Sequence, residues 1–472
     1  MSPQSEIQSN GNFAAREDLR HDEVLQSKAP NSTAKTTARW WVLMEHSSPS
    51  PSVGQISPLL WQTWVVVLIA ASILLLDADV WVYAGVISAI FLSTAFIPDS
   101  GDSPAPYFFH LALPFFAIKG LREGGAWTLM NFYWAFVLLP LADVVVGVDP
   151  SNKSESEYKE LRKRPGFAVA TWIFIPAQLA FFAYACHIVN ILHLTTFELT
   201  VHLCTRLILI ENNPGFAVSI GIHTGAVGIT ISHELGHKNT RVEQWLGRWL
   251  CVMICYGHFY VEHNRGHHKT VGTDKDPATA KFNEPFYRFL PRCIAGSLAS
   301  AWRLEEDRCR DRNIPRWHNE LLWYWAASAC VCAALTVTFG PRSITLFLTQ
   351  SAISILLFES VNYLEHYGLE REQRKDGRIE PVGIEHSWDA PHRITNLVLF
   401  KLGRHSDHHV NSTKRYQTLR THTAHSPQLP TGYPGCVLLA LFPPLWRAVM
   451  NPRIIQLRRN HTNREWRHGP SC

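Results

Sequence analysis

Paired cysteines are missing from this sequence. Ten cysteines occur and none belongs to a CxxC pair, which excludes a rubredoxin-like or iron–sulfur module built into the chain. Cys186, Cys204, Cys330 and Cys332 fall in apolar runs and read as buried thiols. Cys251 and Cys255 have the spacing of one helix face, but two thiols make no structural zinc site, and nothing calls for an oxidising compartment. Charge is also scarce, at 18% of residues, and the net charge is only +5. A cleaved leader is not expected, because the first apolar run is preceded by the polar stretch 1–58. That stretch is rich in Ser, Asn and charge, a composition that predicts disorder.

Long uncharged runs are what the sequence has in quantity. "WQTWVVVLIAASILLLD" (61–77) and "VWVYAGVISAIFLSTAFI" (80–97) approach the roughly 20 residues needed to cross a hydrocarbon core. Further runs lie near 105–118, 126–142, 166–192, 216–232, 321–339 and 343–358. The pattern predicts an all-α, polytopic membrane bundle of six to eight spans, the N-terminal pair at 59–98 among them. The loop 150–164 ends in "KELRKR", and 262–316 is rich in Lys and Arg, so both are expected on the cytoplasmic side. Acidic residues interrupt the basic stretch ("RLEEDRCRDR"), and nucleic acid is not an expected partner.

Twenty-four histidines are present, and nine of them fall in four short motifs. These are "HELGH" (His233, His237), "HNRGHH" (His263, His267, His268), "NYLEHYG" (His366) and "RHSDHH" (His405, His408, His409). On a helix His233 and His237 share a face, and the i, i+3, i+4 spacing of the last cluster aims three imidazoles at one point. His268 points about 140° away from His263 on a regular helix. It therefore serves a second metal or needs a distorted turn. The clusters end apolar runs or flank them on one side, so they can meet at one mouth of the bundle. Nine imidazoles are too many for one ion and suit two. Two nitrogen-ligated metals at a membrane surface point to redox chemistry with O2.

Other readings use fewer of these residues. "HELGH" fits the HExxH pattern of zinc proteases, which leaves seven histidines without a role. Metal transporters place their sites near the membrane midplane, whereas these clusters sit at span ends. His110, His202 and His223 lie in or beside apolar runs and are expected to be hydrogen-bonded core residues. His258 and His386 are candidates to support the ligands. So are the carboxylates Glu234, Glu262, Glu365 and Asp407, each beside a cluster residue, and Asp143 and Asp149 at the end of an apolar run. A carboxylate that accepts the second ring N–H fixes the tautomer of a metal-bound histidine.

"HELGHK", "EHNRGHH", "NYLEHYGL" and "LGRHSDHH", with "DPATA" and "LPTGYPG" in the same order, resemble the integral-membrane alkane 1-monooxygenases. These are non-haem diiron enzymes related to xylene monooxygenase and, more distantly, to membrane fatty acid desaturases. The likeness covers 104–455 and leaves the polar C-terminal tail 456–472 and residues 1–103 without a carried-over role. It implies a six-span bundle with a cytoplasmic histidine-rich diiron cap. His233, His237, His263, His267, His268, His366, His405, His408 and His409 would be both the iron ligands and the catalytic residues. Such enzymes put one oxygen of O2 into a terminal methyl C–H bond of a lipophilic substrate. Their electrons come from NAD(P)H through a reductase and rubredoxin. Because this chain carries no fused rubredoxin, an external electron-transfer protein is expected on the basic surface.

The housing would be the inner membrane in a bacterium or the endoplasmic reticulum membrane in a eukaryote. An alkyl chain is expected to thread between runs 126–142 and 166–192, with Trp134 and Phe174 setting the depth. The sequence departs from the family at Gly403, where glutamine is usual; a glycine there is expected to loosen the turn before His405. A desaturase or hydroxylase acting on acyl chains is the alternative enzyme.

Overall fold

The computed structural model describes residues 103–191, 215–374 and 376–467. The tail 1–58, the apolar pair 59–98, His202 and Cys204 lie outside the described residues. Thirteen helices carry the argument. In chain order they are α1 (Ala112–Glu123), α2 (Trp127–Val146), α3 (Pro165–Ile191), α4 (Gly215–Gly236) and α5 (Arg241–Val252). Then come α6 (258–270), α7 (Phe286–Asp311), α8 (Glu320–Phe339), α9 (Arg342–His366) and α10 (Arg393–Val398). The last three are α11 (His405–Val410), α12 (Tyr433–Ala440) and α13 (Pro443–Arg467). Among the described residues there are isolated β-bridges and no strand. The chain is an all-α integral membrane protein.

Five helices, α2, α3, α4, α8 and α9, are long and apolar enough to span a bilayer. They match five of the six expected core runs. The sixth, 105–118, forms a tight 3-10 segment (Ala105–Leu111) running into α1, which is shorter than a span. Burial ranks the spans: 89% of the α4 window is buried but only 17% of that of α8. α4 is thus the inner helix and α8 an outer one. Cys330 is correspondingly exposed on α8, not buried as its apolar run suggested. Cys255 has φ 55° and follows the end of α5, so it does not continue the helix face of Cys251.

Small residues put α4 against α9. A Cβ on Gly221 would lie 2.6 Å from Ile353, and one on Gly225 would lie 2.6 Å from the Ser354 backbone. This GxxxG spacing lets the two backbones approach closely. Thr224 lies 2.6 Å from the Ser354 hydroxyl and donates to Gln350 Oε1 at 2.8 Å, so polar groups inside the bundle satisfy one another. His233 lies in the last turn of α4 and His366 ends α9, and the close packing of the two helices brings those ends together.

Candidate metal centre

All nine motif histidines converge. His233, His237, His263, His268 and His408 place ring nitrogens within 4.8 Å of one another, and so do His267, His366 and His409. His366 also groups with His405 and Glu365, which makes a five-histidine cluster and a four-histidine cluster side by side. The rings of His268 and His409, 4.4 Å apart, join the two.

A distorted turn decides where His268 goes. Residues His263–His267 of α6 form a π turn, which widens the helix by one residue per turn. Positions i and i+5 then share a face, and His268 Nε2 sits 3.2 Å from His263 Nε2. His267 turns to the second cluster instead, its ring 4.8 Å from that of His366.

The rings present Nε2 inward. His237 and His263 approach through Nε2 at 3.1 Å, and His405 and His409 at 3.0 Å. Two nitrogens bound to one ion at about 2.0–2.1 Å each would lie roughly 3 Å apart. The Nε2 atoms of His233, His267, His366 and His408 are buried with no hydrogen-bond partner among the described residues. Burial, and after it the neighbouring rings, hold His237, His263, His268, His405, His408 and His409 well below ordinary imidazole values. Neutral rings with lone pairs turned toward shared points are what a metal requires, so the donor set fits metal ions.

The groups behind the rings differ from those the sequence suggested. Glu365 does face a ring: it lies 3.2 Å from His405 Nδ1 and accepts a hydrogen bond from Tyr433 at 2.8 Å. His386 contributes through its carbonyl, 3.4 Å from His366 Nδ1. Glu234 turns away to Lys238 (2.9 Å) and the backbone N–H of Tyr416 (3.0 Å). Asp407 accepts from Lys414 and Arg420 and faces His422. Asp149 pairs with Arg404 at 3.1 Å, and Asp143 accepts from the backbone and side chain of Thr395. Glu262 is buried with Oε1 unpartnered among the described residues. None of these five meets a cluster ring through a hydrogen bond. His258 Nε2 is likewise buried without a partner.

Asp276 holds His267, and sequence reasoning passed over it. Its Oδ2 lies 3.0 Å from His267 Nδ1 and accepts from Thr279 at 2.6 Å, while Oδ1 accepts the Ala278 N–H at 3.1 Å. Burial lowers the His267 pKa, and the Asp276 charge outweighs it, so the ring ends raised. The signal was the "DPATA" stretch, whose aspartate is its one ionisable residue. Asp389 was missed as well. It accepts from the backbone and hydroxyl of Ser406 and from Ser426, and so pins the start of α11. Gly403 is clamped rather than loose: a Cβ there would lie 2.3 Å from the Ala390 carbonyl, and its own carbonyl accepts from Ala390 N–H.

A narrow cavity of about 70 Å³ ends on the clusters. Trp134 and Leu139 of α2, Ile222 of α4, Val361 of α9, Leu402 and Val437 form part of its apolar wall, and His233, His263 and His405 close it. Trp134 stacks on Phe109 with centroids 4.8 Å apart. Phe174 does not line this space. It packs on His223 and against Gly228, and α3 contributes nothing to the wall. His110 Nε2 donates to the Ala170 carbonyl (2.8 Å), as a core histidine should. His223 has neither ring nitrogen hydrogen-bonded among the described residues and sits between Phe174 and Phe181.

Comparison with known proteins agrees with this architecture. A family model described as fatty acid desaturase matches residues 212–439. Alkane 1-monooxygenase 2 of Pseudomonas aeruginosa is 41% identical over 332 residues, covering 70% of this chain and 84% of the relative. Alkane 1-monooxygenase 2 of Alcanivorax borkumensis is 38% identical over 348 residues, 72% of this chain and 87% of its own. The xylene/toluene monooxygenase hydroxylase component XylM of Pseudomonas putida is 26% identical over 244 residues, half of this chain and 63% of its own. The identities and the coverage place this chain in the alkane 1-monooxygenase family, as a membrane-bound oxidoreductase.

Proposed function

We propose that the protein hydroxylates the terminal methyl of a linear hydrophobic substrate at two irons held by the nine clustered histidines. His233, His237, His263, His268 and His408 would hold one ion, and His267, His366, His405 and His409 the other. The observation that carries this reading is the apolar cavity ending on rings of both clusters. The overall reaction is R–CH3 + O2 + 2e⁻ + 2H⁺ → R–CH2OH + H2O. Bound iron would supply O2 activation and accept the electrons one at a time.

The chain's own residues do the rest. The walls from Trp134 to Val437 exclude water and admit an alkyl chain end-on, so that its methyl is the part that reaches His233, His263 and His405. Asp276 and the His386 carbonyl fix ring tautomers and leave Nε2 of His267 and His366 for the metal, and the Glu365 carboxylate lies 3.2 Å from His405 Nδ1.

The active site would face the cytoplasm. The basic loop 150–164 is tied to the histidine end of the bundle, with Asn152 bonded to Thr421 in both directions and Arg420 paired with Glu155. An external redox protein, rubredoxin-like as the family resemblance implies, would deliver NAD(P)H-derived electrons on that side.

Two measurements test the reading together. Mössbauer spectra and metal analysis of the purified chain are expected to show two coupled irons. Product made under labelled O2 is expected to carry the label in a primary alcohol. A single zinc ion, or an unlabelled olefin as in a desaturase, overturns it.

Trp134 should set substrate length. Trp134→Ala removes a wall of the cavity, and the kcat/KM profile over a series of alkyl chains is expected to move toward longer members. One methylene contributes about 0.8 kcal/mol, so the change is no more than about fourfold per carbon. An unchanged profile removes Trp134 from this role.

A further inference from the structure

A carboxylate that the reaction above does not use is buried behind the centre. Glu359 lies on the spanning helix α9, seven residues or about 10 Å of helix before His366, and is 1% exposed. It accepts hydrogen bonds from Tyr256 Oη at 2.6 Å, Cys293 Sγ at 2.8 Å and Asn362 Nδ2 at 3.2 Å. All three are donors that converge on its two oxygens from three elements: the α5–α6 connection, α7 and α9 itself. None needs a proton from Glu359, so the arrangement suits the ionised form. Among the described residues no Lys or Arg pairs with it. An anion placed inside a membrane bundle without a cation is costly and marks a use.

The missing positive charge lies close by. Asn362, which holds Glu359, also lines the cavity that ends on the rings. Neutral imidazoles bring no charge to a metal pair. Two ferrous ions carry four positive charges and the oxidised pair carries more, so nearby fixed anions favour the oxidised pair.

We propose that Glu359 is a fixed counter-charge of the metal pair, never a ligand, which lowers its reduction potential and so makes the reduced centre a stronger donor to O2. The Tyr256, Cys293 and Asn362 contacts keep the charge at its place. This inference rests on the two-iron reading above.

The experiment is a potentiometric titration, followed by Mössbauer or optical signals, of the iron-loaded full chain in detergent, comparing wild type, Glu359→Gln and Glu359→Asp. Two irons in the wild-type chain are the starting condition; their absence would sink the two-iron reading itself, and this inference with it. With the irons present, Glu359→Gln is expected to retain both and to favour the reduced state about tenfold, or about 59 mV for one electron. Glu359→Asp, which keeps the charge, is expected to stay near wild type.

A loaded Glu359→Gln protein with the wild-type potential overturns the proposal. So does an equal shift in the Gln and Asp variants, since that reports packing and not charge. Where Glu359→Gln does not fold, Tyr256→Phe reads the same charge. With one of its three donors gone the buried carboxylate is less able to stay ionised, and the potential is expected to rise in the direction of Glu359→Gln; an unmoved potential overturns the proposal just as firmly.

Discussion

Replacing His366 by alanine is expected to lower product formation by more than about 100-fold and to take bound iron from two atoms per chain to one. Removing a mere hydrogen-bond partner of a ligand already costs about 10- to 100-fold, and His366 offers the ligand atom itself. It belongs to both groupings of the smaller cluster, with His267 and His409 on one side and His405 and Glu365 on the other. Without it only three imidazoles remain there, with His409 between His267 and His405. The same change at His408 leaves four rings of a five-ring cluster, so the loss of iron there is expected to be smaller. Iron content read by mass spectrometry, with circular dichroism to show that the bundle persists, checks both statements. A His366→Ala chain that still holds two irons removes the ring from the ligand set.

Short-range spacing explains which parts of this arrangement were legible beforehand. In α11, three imidazoles at i, i+3 and i+4 must share a face once the segment is helical, whatever surrounds it. The apolar runs fixed five spans for the same reason: length and hydropathy are properties of a segment alone. His268 was different. Its destination depends on the π turn at 263–267, and a one-residue widening leaves no mark in the spacing itself, so both outcomes stood open.

Carboxylates show the opposite failure. Adjacency in sequence suggested that Glu234 and Asp407 serve the rings beside them, but neighbours on a helix point about 100° apart. Glu234 therefore meets Lys238 and Tyr416, and Asp407 meets Lys414 and His422. Glu365 succeeds because it reaches His405 on a different element, not because it adjoins His366. The cavity wall was misjudged for a related reason. Gly228 of α4 leaves a hollow that Phe174 fills, so α3 is spent on packing and α4 and α9 line the space instead.

Asp276→Asn is expected to weaken iron binding at the smaller cluster, and activity with it, by about 10- to 100-fold. The substitution keeps the shape of the side chain and changes only its hydrogen-bond chemistry. Both carboxylate oxygens are acceptors here, Oδ2 for His267 and Thr279 and Oδ1 for Ala278. An amide has one oxygen. Turned toward His267, it leaves its NH2 against the Ala278 N–H; turned the other way, it sets that NH2 against the ring and the Thr279 hydroxyl. Either rotamer buries two donors facing each other. The charge is lost as well, and with it the charge-assisted bond that keeps the His267 proton on Nδ1 and the lone pair on Nε2. Thr279→Val removes one of the two donors on Oδ2, and the acceptor of the Gly272 N–H with it, but leaves the carboxylate in place, so its effect should be several-fold at most. Chelator competition on both variants measures the difference. Equal affinities for Asp276→Asn and wild type would mean that His267 holds its tautomer without Asp276, and that the buried carboxylate serves only to brace the loop after α6.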